Sequence, residues 1–369
     1  MVRSFLPVGQ GAFYCECFSG RGYNVNIVYD CGSLPNVRIV EQEIKYNFQR
    51  GEKVEALFIS HLDEDHINGI PFLLKYCEVK RIYFPLISSE NREIMKIYYS
   101  INNIGGFTYN FLENPRRAIE DLDIDYELEL ITISELGQEE PNQLDTNGRR
   151  SGEDIFEDIK NSLKFNFELI GGKWLYIPFN FRQQKRKEKL MDVLEIQFGR
   201  KITEEELIRL WRKAAPSDQD KIKKAYQGVP GDFNTNSMTL FSGEINYGFK
   251  QLNSRCCEKH CFRCYDYKPS GCLYTGDYDA SGKCKWAELK KAYEKYWEHI
   301  GCVQIPHHGS KYSFNEEFTE MNTFFIISAG YRNQHHHPHA SVVKSFLLKR
   351  IIPYIVTEQI GSAVFFMIK

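Results

Sequence analysis

The sequence predicts an α/β protein built on a layered sheet, with a mainly helical insertion in its middle part. Strand-like and helix-like stretches alternate over the first 85 residues, a pattern typical of helices packed on a largely parallel sheet. Charged, helix-like stretches follow up to about residue 230, and strand-like stretches then return. We therefore treat residues 1–87 and 231–369 as the two halves of one fold, and residues 88–230 as an insertion or subdomain.

The individual elements follow from apolar spacing and from turn residues. In the first half they are a hairpin at 11–18 and 23–30 with its turn at 19–22, a helix at 36–50, a strand at 54–60, a helix at 73–80 and a strand at 81–85. In the second half they are strands at 237–245, 271–275, 303–305, 323–328 and 363–368. The strand at 54–60 ends directly before His61.

The middle region contains an acidic stretch at 113–140 and a basic run at 182–189. Such a basic run usually forms the solvated face of a helix, and we expect that here. Phosphate binding is the alternative.

The bulk composition describes a globular chain without a global electrostatic preference. The chain has 369 residues and a hydrophobic content of 42%, which is ample material for a core. Its 47 Lys and Arg residues nearly balance 49 Asp and Glu residues, so the formal net charge is −2. Nucleic-acid binding would therefore depend on a local patch rather than on an overall positive field.

The sequence also indicates a compartment. The first residues lack the apolar core of a signal peptide, and no stretch is long enough and apolar enough to span a bilayer. Eleven cysteines are an odd number, and five of them fall between positions 256 and 272, which suits reduced thiols or a metal better than a disulfide framework. We expect a cytoplasmic protein without membrane contact.

The segment from His61 to His66 carries the chemistry. Its pattern is His61-x-Asp63-x-Asp65-His66, so four ligand-type side chains fall within six residues. Alternate residues leaving a strand point the same way, so His61 and Asp63 can share one metal ion while Asp65 and His66 face a second. The alternative is that Asp and His serve as helix caps at this turn.

Two later segments supply what this half-site lacks, and both follow predicted strands, where α/β folds place their ligands. Asp277, in the run Thr275-Gly-Asp277, is the natural bridging carboxylate. His307 or His308 completes the second metal site. The alternatives are a turn role for Asp277 and an ordinary loop role for one of the two histidines.

The order of these segments resembles the metallo-β-lactamase superfamily and, within it, the hydrolase domain of the ComEC competence proteins. The opening motifs are Val8-Gly-Gln-Gly11 and Tyr29-Asp-Cys-Gly32, and the motif at 61–66 carries an aspartate where most of the superfamily has a second histidine. Further similar segments are Asn236-Ser237, Thr275-Gly-Asp277, Pro306-His-His-Gly-Ser310, Ser328-x-Gly330, His337-Pro338 and Thr357-Glu-Gln-Ile-Gly361. The resemblance covers roughly residues 8–85 and 230–369.

This resemblance implies a four-layer αβ/βα sandwich with a site for two divalent metal ions between the sheets. By position, His61, Asp63 and Asp277 would hold one ion, and Asp65, His66, Asp277 and His308 the other. His308 is preferred to His307 because it directly precedes Gly309. The sequence departs from the superfamily at the third ligand motif, where Asp232 stands as the nearby substitute for the usual histidine.

Such a ligand set predicts hydrolysis. Two cations roughly 3.5–4 Å apart lower the pKa of a bridging water to near 7 and so provide hydroxide for attack on a phosphodiester. Asp65 fixes that centre, and the oxygen of Asp63 shifts the preference of the first site from zinc toward manganese. His337 is a candidate proton donor to the leaving group, and a surface histidine-rich loop is the alternative.

A separate zinc site is a further hypothesis. Cys257, Cys261 and Cys264 have a spacing close to that of a zinc knuckle, and free thiols are the alternative.

The predicted function is therefore a metal-dependent phosphodiesterase or nuclease, with a nucleic acid or another phosphodiester as substrate. One rival keeps the metals and acts on a small ester, lactone, thioester or cyclic nucleotide. The other is a non-catalytic scaffold with a decayed metal site. In either case the insertion at 88–230 is where a protein partner or a substrate would be selected.

Overall fold

The computed structural model describes residues 1–20, 23–34, 36–136, 163–167, 172–182, 185–213, 215–229, 236–244, 250–253, 268–331 and 333–368. The strands in these ranges are β1 (Val2–Phe5), β2 (Phe13–Gly20), β3 (Tyr23–Cys31), β4 (Lys53–Phe58), β5 (Glu78–Val79), β6 (Arg81–Pro85), β7 (Glu129–Ile133), β8 (Leu163–Phe167), β9 (Gly172–Arg182), β10 (Asn236–Glu244), β11 (Lys250–Asn253), β12 (Lys268–Pro269), β13 (Gly271–Tyr274), β14 (Ile300–Gln304), β15 (Phe324–Ser328), β16 (Tyr354–Val356) and β17 (Val364–Ile368).

The helices of the same ranges are α1 (Arg38–Asn47), α2 (Glu64–Ile67), α3 (Ile70–Tyr76), α4 (Ser89–Ile101), α5 (Gly106–Glu113), α6 (Pro115–Glu120), α7 (Lys185–Phe198), α8 (Glu204–Lys213), α9 (Pro216–Gln227), α10 (Gly282–Ala292) and α11 (Ala340–Leu348). Short 3₁₀ helices lie at Glu294–His299, His307–Gly309, Glu316–Glu320 and Ile360–Ser362. None of the described helices is long and apolar enough to cross a bilayer.

The strands form two mixed sheets. In the first sheet the described strands run in the order β12-β11-β17-β1-β2-β3-β4-β6-β7, with β5 paired to β4. In the second sheet they run in the order β16-β15-β14-β13-β10-β9-β8. Strands β3, β4, β6 and β7 are parallel neighbours, as are β13 to β16, so their carboxyl ends meet at one edge of each sheet.

The two sheets face each other across an aromatic core. Tyr29 of the first sheet stacks on Tyr274 of the second, with ring centroids 4.9 Å apart. The Tyr14 hydroxyl donates to Ser328 Oγ at 2.9 Å, and the Tyr29 hydroxyl to the Met238 carbonyl at 2.9 Å. Aromatic rings bury a large area while their hydroxyls find partners across the interface, so they hold the sheets together and fix their relative position.

Helices cover the outer face of each sheet, which makes four layers. Along β2, Phe13 and Cys15 point to the core beneath α1 and α3, whereas Tyr14 and Phe18 point to the core between the sheets. This alternation is the period-two pattern of a strand with both faces buried. A third core lies between the second sheet and α10 and α11. The predicted α/β class is confirmed, and the layers are consistent with the predicted sandwich.

The region predicted as a mainly helical insertion contributes to both sheets. It contains α4 to α9, but it also supplies β7 to the first sheet and β8 and β9 to the second. The region was predicted to be mainly helical, and these three strands are the part of it that the prediction did not include. In β9, Trp174 and Tyr176 face the core between the sheets while Leu175 and Ile177 face the outer core, so the strand is apolar on both sides and has no amphipathic signature. The domain boundaries themselves stay a prediction.

Candidate metal centre

The predicted ligand residues converge at the carboxyl ends of neighbouring strands. His61 follows β4, and Asp65 and His66 lie in α2 directly after it. Asp277 follows β13, and His307 and His308 follow β14 in the adjacent parallel strand. All of these side chains are buried. Residues that are more than 200 positions apart in the chain thus share one site between the two sheets.

Asp277 lies at the centre of this group, with its two oxygens directed to different partners. Its Oδ2 lies 3.6 Å from His61 Nε2 and 3.6 Å from His307 Nε2. Its Oδ1 lies 3.5 Å from His66 Nε2 and 4.0 Å from His308 Nε2. These separations are longer than ordinary hydrogen bonds, and they are of the kind found between ligand atoms that share a cation.

Two sets of donor atoms are close enough for a metal ion within the described residues. His61, His66 and Asp277 form one set, and Asp65, His66 and His308 form the other, with donor atoms within 4.8 Å of one another in each. Asp65 Oδ2 lies 3.1 Å from His308 Nε2. Asp63 Oδ2 lies 3.3 Å from His61 Nε2, on the side of the ring that faces Asp277.

Four histidines are held by their Nδ1 atoms, which leaves Nε2 facing Asp277. His66 Nδ1 donates to Asp30 Oδ2 at 2.8 Å, and His308 Nδ1 donates to the Ser328 carbonyl at 2.9 Å. His61 Nδ1 lies 2.8 Å from Ser60 Oγ, and His307 Nδ1 lies 3.2 Å from Ser313 Oγ. Hydrogen bonds of this kind fix the tautomer and orientation of metal-binding histidines.

Asp30 lies in the motif Tyr29-Asp-Cys-Gly32, but no role was predicted for it from the sequence. It is fully buried and accepts from the Ser60 backbone at 2.7 Å, the Ser60 hydroxyl at 2.7 Å and His66 Nδ1 at 2.8 Å. The Ser60 hydroxyl donates its hydrogen to Asp30, so the Ser60 oxygen accepts a hydrogen bond from His61 Nδ1. One carboxylate therefore orients two of the histidines. An aspartate at the end of a strand was the available signal.

The backbone at the site is strained or tightly packed in several places. His307 and His308 have φ angles of 50° and 54°, a left-handed conformation that side chains with a Cβ rarely adopt. Gly276 has φ of 52°, and a Cβ there would lie 2.6 Å from the Cβ of Ser60. A Cβ on Gly32 would lie 2.4 Å from the Asp65 carbonyl carbon. Such strain concentrates at functional sites.

The acidic and basic groups shift one another's pKa values. Burial tends to raise the pKa of Asp277, but the four surrounding histidines hold it well below its usual range. Burial tends to lower the pKa of His66, but Asp65 and Asp30 raise it to about 10. His307 instead has its pKa lowered to about 4, by burial above all and also by the charge of Arg186. The cluster is therefore strongly charged when it holds no cation.

The donor set fits divalent metal ions. The buried atoms His61 Nε2, His66 Nε2 and Asp63 Oδ2 have no hydrogen-bond partner in the described structure, although an unpaired polar atom of this kind is costly to bury. Imidazole nitrogens with carboxylate oxygens suit zinc and manganese. A cation between these atoms would satisfy all of them, which is the physical argument for a metal site here.

His337 lies beside the cluster rather than within it. Its ring centroid is 5.5 Å from that of His307 and 6.2 Å from that of His308. Asn333 holds its backbone, accepting from the His337 amide at 2.8 Å and donating to its carbonyl at 2.6 Å. Burial and the neighbouring histidines lower the pKa of His337 to about 3. The ring is thus neutral at neutral pH, which does not favour the expected proton donor, and its role stays a prediction.

Other predicted ligands fall outside the described residues. Asp232 is one of them, and so are Cys257, Cys261 and Cys264 of the expected zinc knuckle. Their roles stay predictions. Cys272, which follows them in the chain, is a buried free thiol in β13.

Comparisons with known proteins match the first part of the chain, which contains one half of the His/Asp cluster. Residues 21–144 match the family model described as the metallo-beta-lactamase superfamily, a range that contains His61 to His66. The chain is 39% identical over 69 residues to ribonuclease J of Mycoplasma pneumoniae, covering 17% of this chain and 12% of that protein. It is 38% identical over 55 residues to ribonuclease J of Mycolicibacterium smegmatis, covering 13% and 10%.

The chain thus spans about a tenth of the length of the curated relatives that it matches. The finer resemblance to ComEC competence proteins is not shown by these matches and stays a prediction. Residues 21–144 carry the sequence signature of the metallo-β-lactamase superfamily, and the two facing sheets and the buried His/Asp cluster of the chain are consistent with that superfamily's fold and metal site.

Proposed function

We propose that this protein is a metal-dependent hydrolase that cleaves nucleic-acid phosphodiesters. The observation that carries the proposal is the position of Asp277, whose Oδ2 faces His61 and His307 while its Oδ1 faces His66 and His308. A carboxylate between two donor sets is the arrangement needed to hold two cations side by side. Two cations bound there would generate a nucleophile from water at neutral pH and offset the charge on a phosphoryl oxygen.

The proposed ligands follow the donor distances. His61, Asp63 and Asp277 would hold the first ion, and Asp65, His66, Asp277 and His308 the second. Asp63 stands on the Nε2 side of His61, whereas Ser60 holds Nδ1, which supports Asp63 as a direct ligand. His307 Nε2 is as close to Asp277 Oδ2 as His61 Nε2 is, so His307 is a further donor for the first ion.

The remaining residues of the site orient these ligands and shape the space around them. Asp30, Ser60 and the Ser328 carbonyl hold the imidazole rings in the tautomer that presents Nε2. His337 lines the adjoining cavity, where a neutral imidazole can hydrogen-bond to substrate. The partial similarity to ribonuclease J supports a nucleic acid as the substrate class. A cytoplasmic location is part of the same proposal.

The test combines metal content with a panel of substrates. Protein stripped with a chelator and reloaded with Mn²⁺ or Zn²⁺ should retain about one to two equivalents and cleave labelled single-stranded RNA or DNA as well as a small phosphodiester. Asp277→Asn should abolish cleavage, since it removes the bridging charge. Asp121→Asn, at an exposed position after α6, is the control and should change nothing.

Each contrary result would support one of the two rival functions. Protein that stays metal-free after soaking would support the scaffold hypothesis. Metal-loaded protein that hydrolyses esters or lactones but no phosphodiester would keep the centre and replace the substrate class.

A further inference from the structure

A cavity of about 660 Å³ adjoins the metal centre, and His307 and His337 form part of its wall. This volume is typical of pockets that hold a small ligand. Among the described residues, the wall also carries five cationic side chains against one carboxylate. The cations are Arg182, Lys185, Arg186, Lys189 and Lys285, and the carboxylate is Asp279. The cavity is therefore a positively charged space that opens beside the His/Asp cluster.

Three of these cations come from the beginning of α7, within the basic run that was expected to be a solvated helix face. Lys185, Arg186 and Lys189 lie within one turn and so share a side of the helix. Leu190 and Leu194, on the adjoining side of α7, are buried in the core. A solvated helix face requires only that these cations be exposed to water. It does not explain why they border a cavity next to the metal centre.

The local energetics also disfavour a purely structural role. The first turn of a helix carries a partial positive charge, so cations there destabilise it slightly. Lys187 of the same turn has a clear structural use, with Nζ 2.7 Å from Glu204 Oε1 and 2.9 Å from Asn91 Oδ1. Lys185 pairs with Asp279 at 2.8 Å, which ties α7 to the loop that carries Asp277. Arg186 and Lys189 line the cavity beside Lys185, from the same helix.

The positively charged wall of the cavity lies next to the metal centre. Arg186 and His307 line the same cavity, so the guanidinium borders the space beside the ligand cluster. His307 belongs to both the cluster and the cavity wall. An anion bound at Arg186 would thus neighbour a phosphoryl group at the metal centre.

We infer that this wall is a phosphate-binding subsite, in which Arg186 and Lys189 hold backbone phosphates of a single nucleic-acid strand next to the scissile phosphate. The inference rests on the proposed function and names its substrate class. A guanidinium binds phosphate through two parallel hydrogen bonds, and lysine adds a point charge. Several cations along one wall match a polyanion with repeated phosphates, which a lactone or a small ester lacks.

Binding can be measured without catalysis. A fluorescein-labelled single-stranded oligonucleotide is titrated with chelator-treated protein at several salt concentrations, and anisotropy gives the affinity. Arg186→Ala with Lys189→Ala should weaken binding about tenfold or more at low salt, since two charged contacts are lost. It should also reduce the slope of log affinity against log salt by about 1.4, from about 0.7 for each lost contact.

The matched control removes two cations elsewhere. Lys223→Ala with Lys224→Ala changes the same net charge at exposed positions of α9 that do not line the cavity, and it should leave both affinity and slope unchanged. A second variant, Arg186→Lys with Lys189→Arg, conserves charge and should restore most of the affinity. If the Arg186 and Lys189 variant keeps the wild-type slope, or if the control lowers it equally, the subsite does not exist.

Kinetics separate this inference from the proposed function. In metal-loaded protein the Arg186 and Lys189 variant should lose about tenfold or more in kcat/KM on the oligonucleotide but none on a small phosphodiester, which has no flanking phosphates. Equal losses on both substrates would overturn the subsite and indicate a damaged centre. Salt-dependent binding that falls in the variant, in a protein that cleaves neither substrate, would support the subsite while refuting the hydrolase. Equal affinity for a duplex would refute the single-strand preference.

Discussion

Replacing Asp30 by Asn tests whether the metal centre depends on a carboxylate outside its ligand set. Asp30 is fully buried and accepts three hydrogen bonds of 2.7–2.8 Å, two from Ser60 and one from His66 Nδ1. The amide of Asn keeps one acceptor oxygen and places an NH₂ group where two donors converged. That NH₂ favours the His66 tautomer with its hydrogen on Nε2, which cannot bind a metal ion.

The expected loss of metal affinity follows from these contacts. Loss of an orienting hydrogen bond to a metal-binding histidine typically reduces metal affinity ten- to hundredfold, or about 1.4–2.8 kcal/mol. We expect the upper half of that range, because Ser60 links Asp30 to His61 as well. Competition with a chromophoric chelator measures the dissociation constant of Zn²⁺ or Mn²⁺.

Two further variants make the result interpretable. Glu43→Gln makes the same change at a buried carboxylate of α1 that contacts Asn47 and, among the described residues, no histidine, so metal affinity should not change. Ser60→Ala breaks only the link to His61 and should give a smaller loss than Asp30→Asn. A folded Asp30→Asn protein whose metal affinity stays within about twofold of wild type would refute the reasoning.

Two other predictions concern the metal ligands. Because the oxygen of Asp63 stands where imidazole would favour zinc, Mn²⁺ should stimulate phosphodiester cleavage more than Zn²⁺, and Asp63→His should move the preference toward zinc. An identical metal ranking in wild type, Asp63→His and Asp63→Asn would exclude Asp63 as a direct ligand. In metal-free protein, Asp65 and Asp30 raise the pKa of His66 from 6.5 to about 10, so its stabilisation is complete below pH 6.5 and is lost as pH rises toward 10. The free energy of unfolding from urea titrations should therefore fall across that window, and fall less in His66→Gln; equal slopes would contradict the assignment.

Local sequence predicted the elements whose signals are local. The hairpin of β2 and β3, the helix α1 and the strand β4 were all expected, because each has clear apolar spacing or turn residues. The predicted helix at 73–80 contains only the end of α3 and then β5, since a short apolar run does not distinguish a helix from a strand. Strand β9 was missed because its two faces are both buried, so its apolar residues do not alternate with polar ones.

Local sequence was enough to predict the half-site at His61, Asp63, Asp65 and His66, because the geometry of a strand passing into a helix brings residues within six positions together whatever the rest of the chain does. Three other relations arise from long-range packing: the two oxygens of Asp277 face different histidines, Asp30 orients His66, and Arg186 borders the same cavity as His307. These relations join strands and helices far apart in the chain. They depend on how the two sheets pack through their aromatic core, which no local pattern of residues records.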